Sequence, residues 1–267
     1  MSRYDYHTHS NYSDGEFLWL MVDAAEEAGL EGIGFADHCS VSTKPSRRLE
    51  SHRNGFALDI TYERRRQGIE ALRDRNQTEV ELYDAVEMDY KPEDEEAIAG
   101  FLEEAQFDYA VGSVHHLDDE NVHIEPHFAP KSKAERQALV DTYFHETVAL
   151  IDSELFDIAA HIDMINRNPA LRGFATEEHY RRVGEALTRS RTIPEINAGR
   201  ALAAYGEFHP RPEFIDVLRE YDVQFVRGTD AHSPTELLDR TPALDEHFET
   251  LGLEPTAIDP VTSRGRR

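Results

Sequence analysis

Histidines and carboxylates gather in small clusters along this chain, and each cluster closes a short apolar run. The first is "YDYHTHSNYSDGE", residues 4–16, where His7 and His9 flank one threonine and Asp14 precedes Gly15. Asp37 and His38 end "FADH", Glu87 lies in "AVEMDY", and His115 and His116 close "GSVHH". His161 and Asp163 sit in "AAHID", Glu195 and Asn197 in "PEIN", and Asp230 and His232 in "RGTDAH". Imidazole and carboxylate together suit borderline divalent metals: zinc, iron or manganese. The set is larger than a single ion needs. A His-X-His pair at a strand end points both side chains to one face, and a carboxylate such as Glu87 can bridge two ions. Two or three ions side by side hold phosphoryl oxygens and lower the pKa of water, so that hydroxide attacks phosphorus in line near neutral pH. No Walker loop and no GxGxxG motif offers a rival chemistry.

One histidine after a strand is ordinarily a satisfied structural residue. Seven ligand-bearing strand ends in one chain are not explained that way. The remaining histidines, His52, His123, His127, His145, His179, His209 and His247, fall on loops or helices and read as solvated surface, with His123 and His127 in a loop that overhangs the site. Cys39, beside His38, reads as a small buried residue.

The elements that must position these groups follow from periodicity. Short apolar runs at 3–7, 32–36, 80–86, 109–114, 156–161, 192–197 and 223–227 read as strands. Between them, 17–28, 62–76, 92–105, 133–151, 177–189 and 212–221 read as helices. Strand–helix alternation implies parallel strands with helices outside, and seven repeats suit a closed or nearly closed barrel. The ligands then converge on the C-terminal ends of the strands, the active face of such barrels. Residues 40–59 and 116–131 read as long loops over that face, placed to act as lids or substrate loops. One domain over 1–258 is expected, followed by a disordered tail at 259–267.

Composition narrows the setting. The 267 residues carry 53 acidic against 28 basic side chains, a net charge of −25. Only Lys44, Lys91, Lys131 and Lys133 are lysines. Such a field repels phosphate backbones, so no nucleic-acid partner is expected. No apolar run reaches membrane-span length, no signal-peptide core precedes the first strand, and a single cysteine rules out an intrachain disulfide framework. A cytoplasmic protein is expected, with an acidic, lysine-poor shell of the halophilic kind, in which salt screens self-repulsion.

The ordered set "YHTHSNYSDG", "FADH", "VEMDY", "GSVHH", "AHIDMI", "EIN" and "GTDAH" resembles the polymerase and histidinol phosphatase (PHP) family, over about residues 4–242. Order and spacing look most like its monofunctional histidinol-phosphate phosphatases. The resemblance implies a distorted seven-stranded TIM-like barrel with a trinuclear metal centre. By position, it implies one metal held by His7, His9, Glu87 and Asp230, a second by Glu87, His115 and His161, and a third by Asp14, His38 and His232. It implies that Arg167 and Arg200 grip phosphate through planar guanidinium groups. Two departures stand out: Ala36 replaces the threonine usual before Asp37–His38, and His116 follows His115 where relatives carry a hydrophobic residue.

The implied function is hydrolysis of L-histidinol phosphate, a small phosphomonoester, to histidinol and phosphate in histidine biosynthesis. Glu87 and Asp230 would anchor the reaction centre, and His232 would be a candidate proton donor to the leaving alkoxide. Glu120 and Glu125 would meet the substrate's cationic groups. A phosphoesterase acting on nucleotides or oligonucleotide 5′ ends is one alternative, and a non-catalytic metal-binding domain is another. The charge balance makes its own prediction. Thermal melts in rising KCl should show a midpoint that climbs with salt; a protein most stable in dilute buffer refutes it.

Overall fold

A computed structural model describes residues 3–74, 78–117 and 119–258. The tail expected at 259–267 lies outside these residues. Ten strands are described: β1 (Tyr4–Thr8), β2 (Gly32–Phe35), β3 (His38–Cys39), β4 (Glu81–Asp89), β5 (Tyr109–Ser113), β6 (His116–Leu117), β7 (Glu120–Asn121), β8 (Ile158–Ala159), β9 (Ile193–Asn197) and β10 (Val226–Gly228). The described helices are α1 (Leu18–Glu27), α2 (Pro45–Arg53), α3 (Leu58–Asp74), α4 (Glu95–Ala105), α5 (Glu125–Phe128), α6 (Lys133–Asp152), α7 (Glu177–Arg189), α8 (Pro212–Arg219) and α9 (Pro234–Leu251).

Seven strands pair in the order β1-β2-β4-β5-β8-β9-β10, every ladder parallel. The first and last then meet. His9 N donates to Ala231 O at 2.9 Å and Asp230 N to His7 O at 2.7 Å. The result is the expected nearly closed seven-stranded barrel. β3 adds beside β4, pairing His38 with Glu87.

Alternation along the strands divides the chain's apolar residues between two places. Tyr6, Tyr83, Ala85, Tyr109, Val111, Ile158 and Val226 form one cluster that fills the barrel interior below the strand ends. Tyr109 Oη donates to Tyr6 O at 2.7 Å. Gly34 is required here, because a Cβ would collide with the Tyr109 hydroxyl. The outward-facing residues pack under the helices in two larger clusters. α6 begins with a capping box: Ser132 N donates to Glu135 Oε2 at 2.7 Å and Glu135 N to Ser132 Oγ at 3.3 Å, satisfying two otherwise orphaned donors.

Three features differ from the sequence reading. Residues 40–59 are not a bare loop but carry α2 and the start of α3. "PSRRLESHR" buries only Ser51, so no apolar stripe announces a helix. Residues 116–131 hold the β6–β7 hairpin and α5. α9 is not among the expected helices because Pro242 lies inside it and reads as a breaker.

α3 is fastened to the barrel by a buried ionic clamp. Arg65 is fully buried. Its Nη1 donates to Asp37 Oδ2 at 2.8 Å and its Nη2 to Asp84 Oδ1 at 2.7 Å, while Arg66 Nε reaches Asp84 Oδ2 at 2.7 Å. Burial alone would raise Asp37, but the Arg65 guanidinium together with His9 and Ser10 holds the carboxyl below its usual range. Removing one member of such a cluster strands the others in a dry interior. Arg65→Met should therefore cost about 3–5 kcal/mol in urea denaturation; a loss within about 0.5 kcal/mol would show the clamp to be dispensable.

Candidate metal centre

Glu87 is the middle of the site. β4 carries it to the barrel mouth, where it is 1% exposed. Five imidazoles close on its two oxygens. His161 Nε2 is 3.0 Å and His115 Nε2 3.3 Å from Oε1. His38 Nδ1 is 2.6 Å, His7 Nε2 3.4 Å and His9 Nε2 3.7 Å from Oε2. Close approach is not the same as hydrogen bonding here. Glu87 Oε2, His7 Nε2 and His9 Nε2 all lack a hydrogen-bond partner despite burial. Buried polar atoms are normally satisfied. Lone pairs that converge in a dry place without protons between them suit a shared cation.

The surroundings fix those lone pairs. His7 Nδ1 lies 2.9 Å from Glu195 Oε2; with that nitrogen committed to the carboxylate, Nε2 is the one aimed at the site. Glu195 also accepts from His161 N at 3.0 Å and from Asn197 Nδ2 at 2.7 Å. The two residues "PEIN" contributes at its strand end thus orient ligands instead of adding to them. Gly228 leaves room for this, since a Cβ there would run into the Glu195 carboxylate and His7. His232 Nδ1 lies 2.9 Å from the Asp230 carbonyl, so it donates there and Nε2 is the nitrogen aimed at the site. Asp37 accepts from Ser10 N, Ser10 Oγ and Ser13 Oγ at 2.6–2.8 Å, which shapes the turn that presents Asp14. Gly15 closes this turn where a Cβ would strike the His9 backbone.

Among the described residues, three groups offer ligand atoms within 4.8 Å of one another: His7, His9 and Asp230; His9, Asp14, His38 and His232; and His38, Glu87 and His115. All nine expected ligands lie around one centre, but the grouping shifts. His9 and His38 each belong to two groups, and His161 reaches the centre through Glu87. His161 (φ 28°) and Asp230 (φ 53°) hold left-handed backbones, a strain that proteins tolerate where geometry serves a site. His116 is in none of these groups; its Nδ1 is 2.9 Å from Asp89 Oδ2.

Charge is arranged for a cation. Burial would raise Glu87, yet His38, His115 and His7 hold it well below the carboxylate range. Burial would likewise raise Asp230, and His9 and His7 overturn it. Burial, with His232 and His38 nearby, pushes His9 down to about 4, leaving it neutral, the state that ligates. Burial would lower His115, but Glu87 beside it prevails and raises it to about 10.

The centre opens into a cavity of about 310 Å³ lined by Arg167, Arg200, His116, His123 and residues of α2 such as Arg47 and Glu50. Both expected phosphate arginines line this cavity, Arg167 half-buried at its wall and Arg200 exposed at its rim. Glu120 and Glu125 are not in the lining; Glu120 pairs with His127 at 2.6 Å instead. The lining carboxylates are Asp14, Glu50, Asp89, Asp94, Asp119, Asp230 and Glu236. Two histidines read as surface are buried: His209 is 0% and His179 6% exposed. Neither follows an expected strand, so no spacing marked them. Cys39 is buried, as expected.

The PHP domain family model matches residues 5–198. The chain belongs to the PHP-domain family. A Deinococcus radiodurans protein named probable histidinol-phosphatase is 24% identical over 225 residues, covering 81% of this chain and 80% of that one. Histidinol phosphate phosphatase from Lactococcus lactis, solved with zinc, L-histidinol and phosphate, superposes with TM-score 0.77 at 20% identity over 97% of each chain. A structure from Listeria monocytogenes, titled as a candidate histidinol phosphatase, gives TM-score 0.72 at 17% identity over 87% of this chain and 96% of that one. The PHP barrel is thus shared, and its centre here fits divalent metal. Among the described residues, no helix is long and apolar enough to cross a membrane.

Metal loading must expel protons, because His115 keeps its own below about pH 10 and can ligate only without it. Zinc affinity measured by competition with a chelator should therefore tighten from pH 6 to pH 8, by about tenfold per unit for each proton released. An affinity flat across that range would remove His115 from the ligand set.

Proposed function

We propose that this phosphatase hydrolyses L-histidinol phosphate to histidinol and phosphate, on a centre of three divalent ions. One observation carries the reading: unpartnered ligand atoms gather around buried Glu87, and the groups beside it, Asp14, His38, His115, His161, Asp230 and His232, line the same cavity as two arginines. Cations beside guanidinium groups are complementary to a phosphate ester and to the charge that grows on it. His7, His9 and Asp230, with Glu87, would hold one ion; Glu87, His115 and His161 would hold a second; Asp14, His38 and His232 would hold a third. Bound ions supply an electrophile for the phosphoryl oxygens and acidify water near neutral pH.

The chain's own residues do the rest. Glu87 keeps its charge in a dry place, as a carboxylate shared between two ions would have to. Glu195 keeps His7 aimed, and the Asp230 carbonyl does the same for His232, which supports a ligand role for His232 over a proton-donor role. Arg167 and Arg200 hold the phosphate oxygens. Glu50, on the α2 side of the cavity, suits a leaving alcohol that carries an ammonium. The named relatives that match over most of this chain are histidinol phosphatases, which supports the choice of substrate and its place in histidine biosynthesis. The acidic, lysine-poor composition supports work in concentrated salt.

Phosphate release is the test. The metal-loaded enzyme should turn over L-histidinol phosphate at least about tenfold faster than any member of a nucleotide panel. Chelation should abolish turnover, and His9→Ala should lower kcat at least about a hundredfold. A nucleotide as the best substrate would replace this substrate, and bound metal without phosphate release would replace the enzyme.

A further inference from the structure

Arg167 does not reach the cavity unsupported. Its Nε donates to His209 Nε2 at 2.7 Å, and His209 Nδ1 lies 2.5 Å from Asp163 Oδ1. An arginine Nε can only donate and an ionised carboxylate can only accept. One imidazole tautomer satisfies both: Nδ1–H donates to Asp163, and the Nε2 lone pair receives Arg167. Asp163 and His209 are each 0% exposed. Both are fixed from behind. Asp163 Oδ2 accepts from Arg211 N at 3.0 Å and Asn166 Nδ2 at 3.3 Å. His209 exchanges two backbone hydrogen bonds with Asn197 and stacks on the Tyr205 ring, centroids 5.0 Å apart.

With Nε engaged, the other edge of the guanidinium is turned toward the metal centre. Nη2 lies 3.3 Å from Asn197 Oδ1 and 3.7 Å from Asp230 Oδ2. We propose that Asp163 and His209 are positioning residues that hold Arg167 with its Nη edge toward the substrate's phosphoryl group. The proposal rests on Arg167 as a phosphate ligand, as in the reading above. A free arginine must surrender rotamer entropy each time it grips an anion; one already pinned through Nε has surrendered it on folding. A merely structural pair would hold residues 198–211 against β9 and leave phosphate affinity untouched.

The test uses the metal-loaded full chain, with inorganic phosphate titrated by calorimetry and thermal melting as a check on folding. Arg167→Ala should weaken phosphate about tenfold or more. His209→Phe keeps a ring on Tyr205 but removes both nitrogens, and should weaken phosphate about tenfold with the fold intact. The double variant should be no worse than Arg167→Ala alone. His209→Gln, which can still accept from Arg167, should recover part of the loss. If His209→Phe does not fold, Asp163→Asn carries the same comparison. Native phosphate affinity in a folded His209→Phe, or losses that multiply in the double variant, would overturn the proposal. Unchanged affinity in Arg167→Ala would overturn it as well, together with that arginine's role, while turnover of histidinol phosphate by the unaltered enzyme still reports separately on the substrate.

Discussion

The structure depends on keeping one carboxylate ionised where water cannot reach it. Glu87 is nearly fully buried, and an isolated buried carboxylate would take up a proton. Five imidazoles prevent that, yet they crowd it without forming a full set of hydrogen bonds. Without a cation the cluster is a compromise in which some rings carry protons and others give them up. With cations every lone pair has a use. The barrel, its tyrosine-filled interior and its strained strand ends all serve to hold this cluster together.

Support comes in shells of decreasing burial. Glu195 and Asp37 never face the cavity, yet each fixes several groups that do. Glu195 ties β9 to β1 and β8 through His7 and the His161 amide. Asp37 ties the loop after β1 to α3 through Ser10, Ser13 and Arg65. The same residue type therefore performs two jobs, ligand and orienter, and only distance separates them. Asp14, exposed on its turn, is the least supported ligand.

Much of this was legible in the sequence. All seven barrel strands appear where short apolar runs predict them, and the ligand types at their ends follow from the same pattern. What spacing could not give was direction. Asp163 and His161 sit two apart in "AHID", but the left-handed turn at His161 sends one to the centre and the other to His209. His209 was missed because its neighbours, "FHPRPE", look like surface, while a backbone bridge back to Asn197 at the end of β9 carries it inside. α2 and α9 escaped notice for local reasons: one has no apolar stripe, the other contains a proline.

The seam between β1 and β10 has a consequence for biosynthesis. Asp5 and Thr229, 224 positions apart, are joined there, and the ligands His7, His9, Asp230 and His232 come from its two sides. Loop closure of that length comes at the end of chain elongation. A nascent chain emerging from the ribosome without β10 has histidines but no enclosed centre. Ions captured early would be held by a partial, solvent-open set and could exchange freely. The finished barrel, not the growing chain, brings the two sides of the centre together.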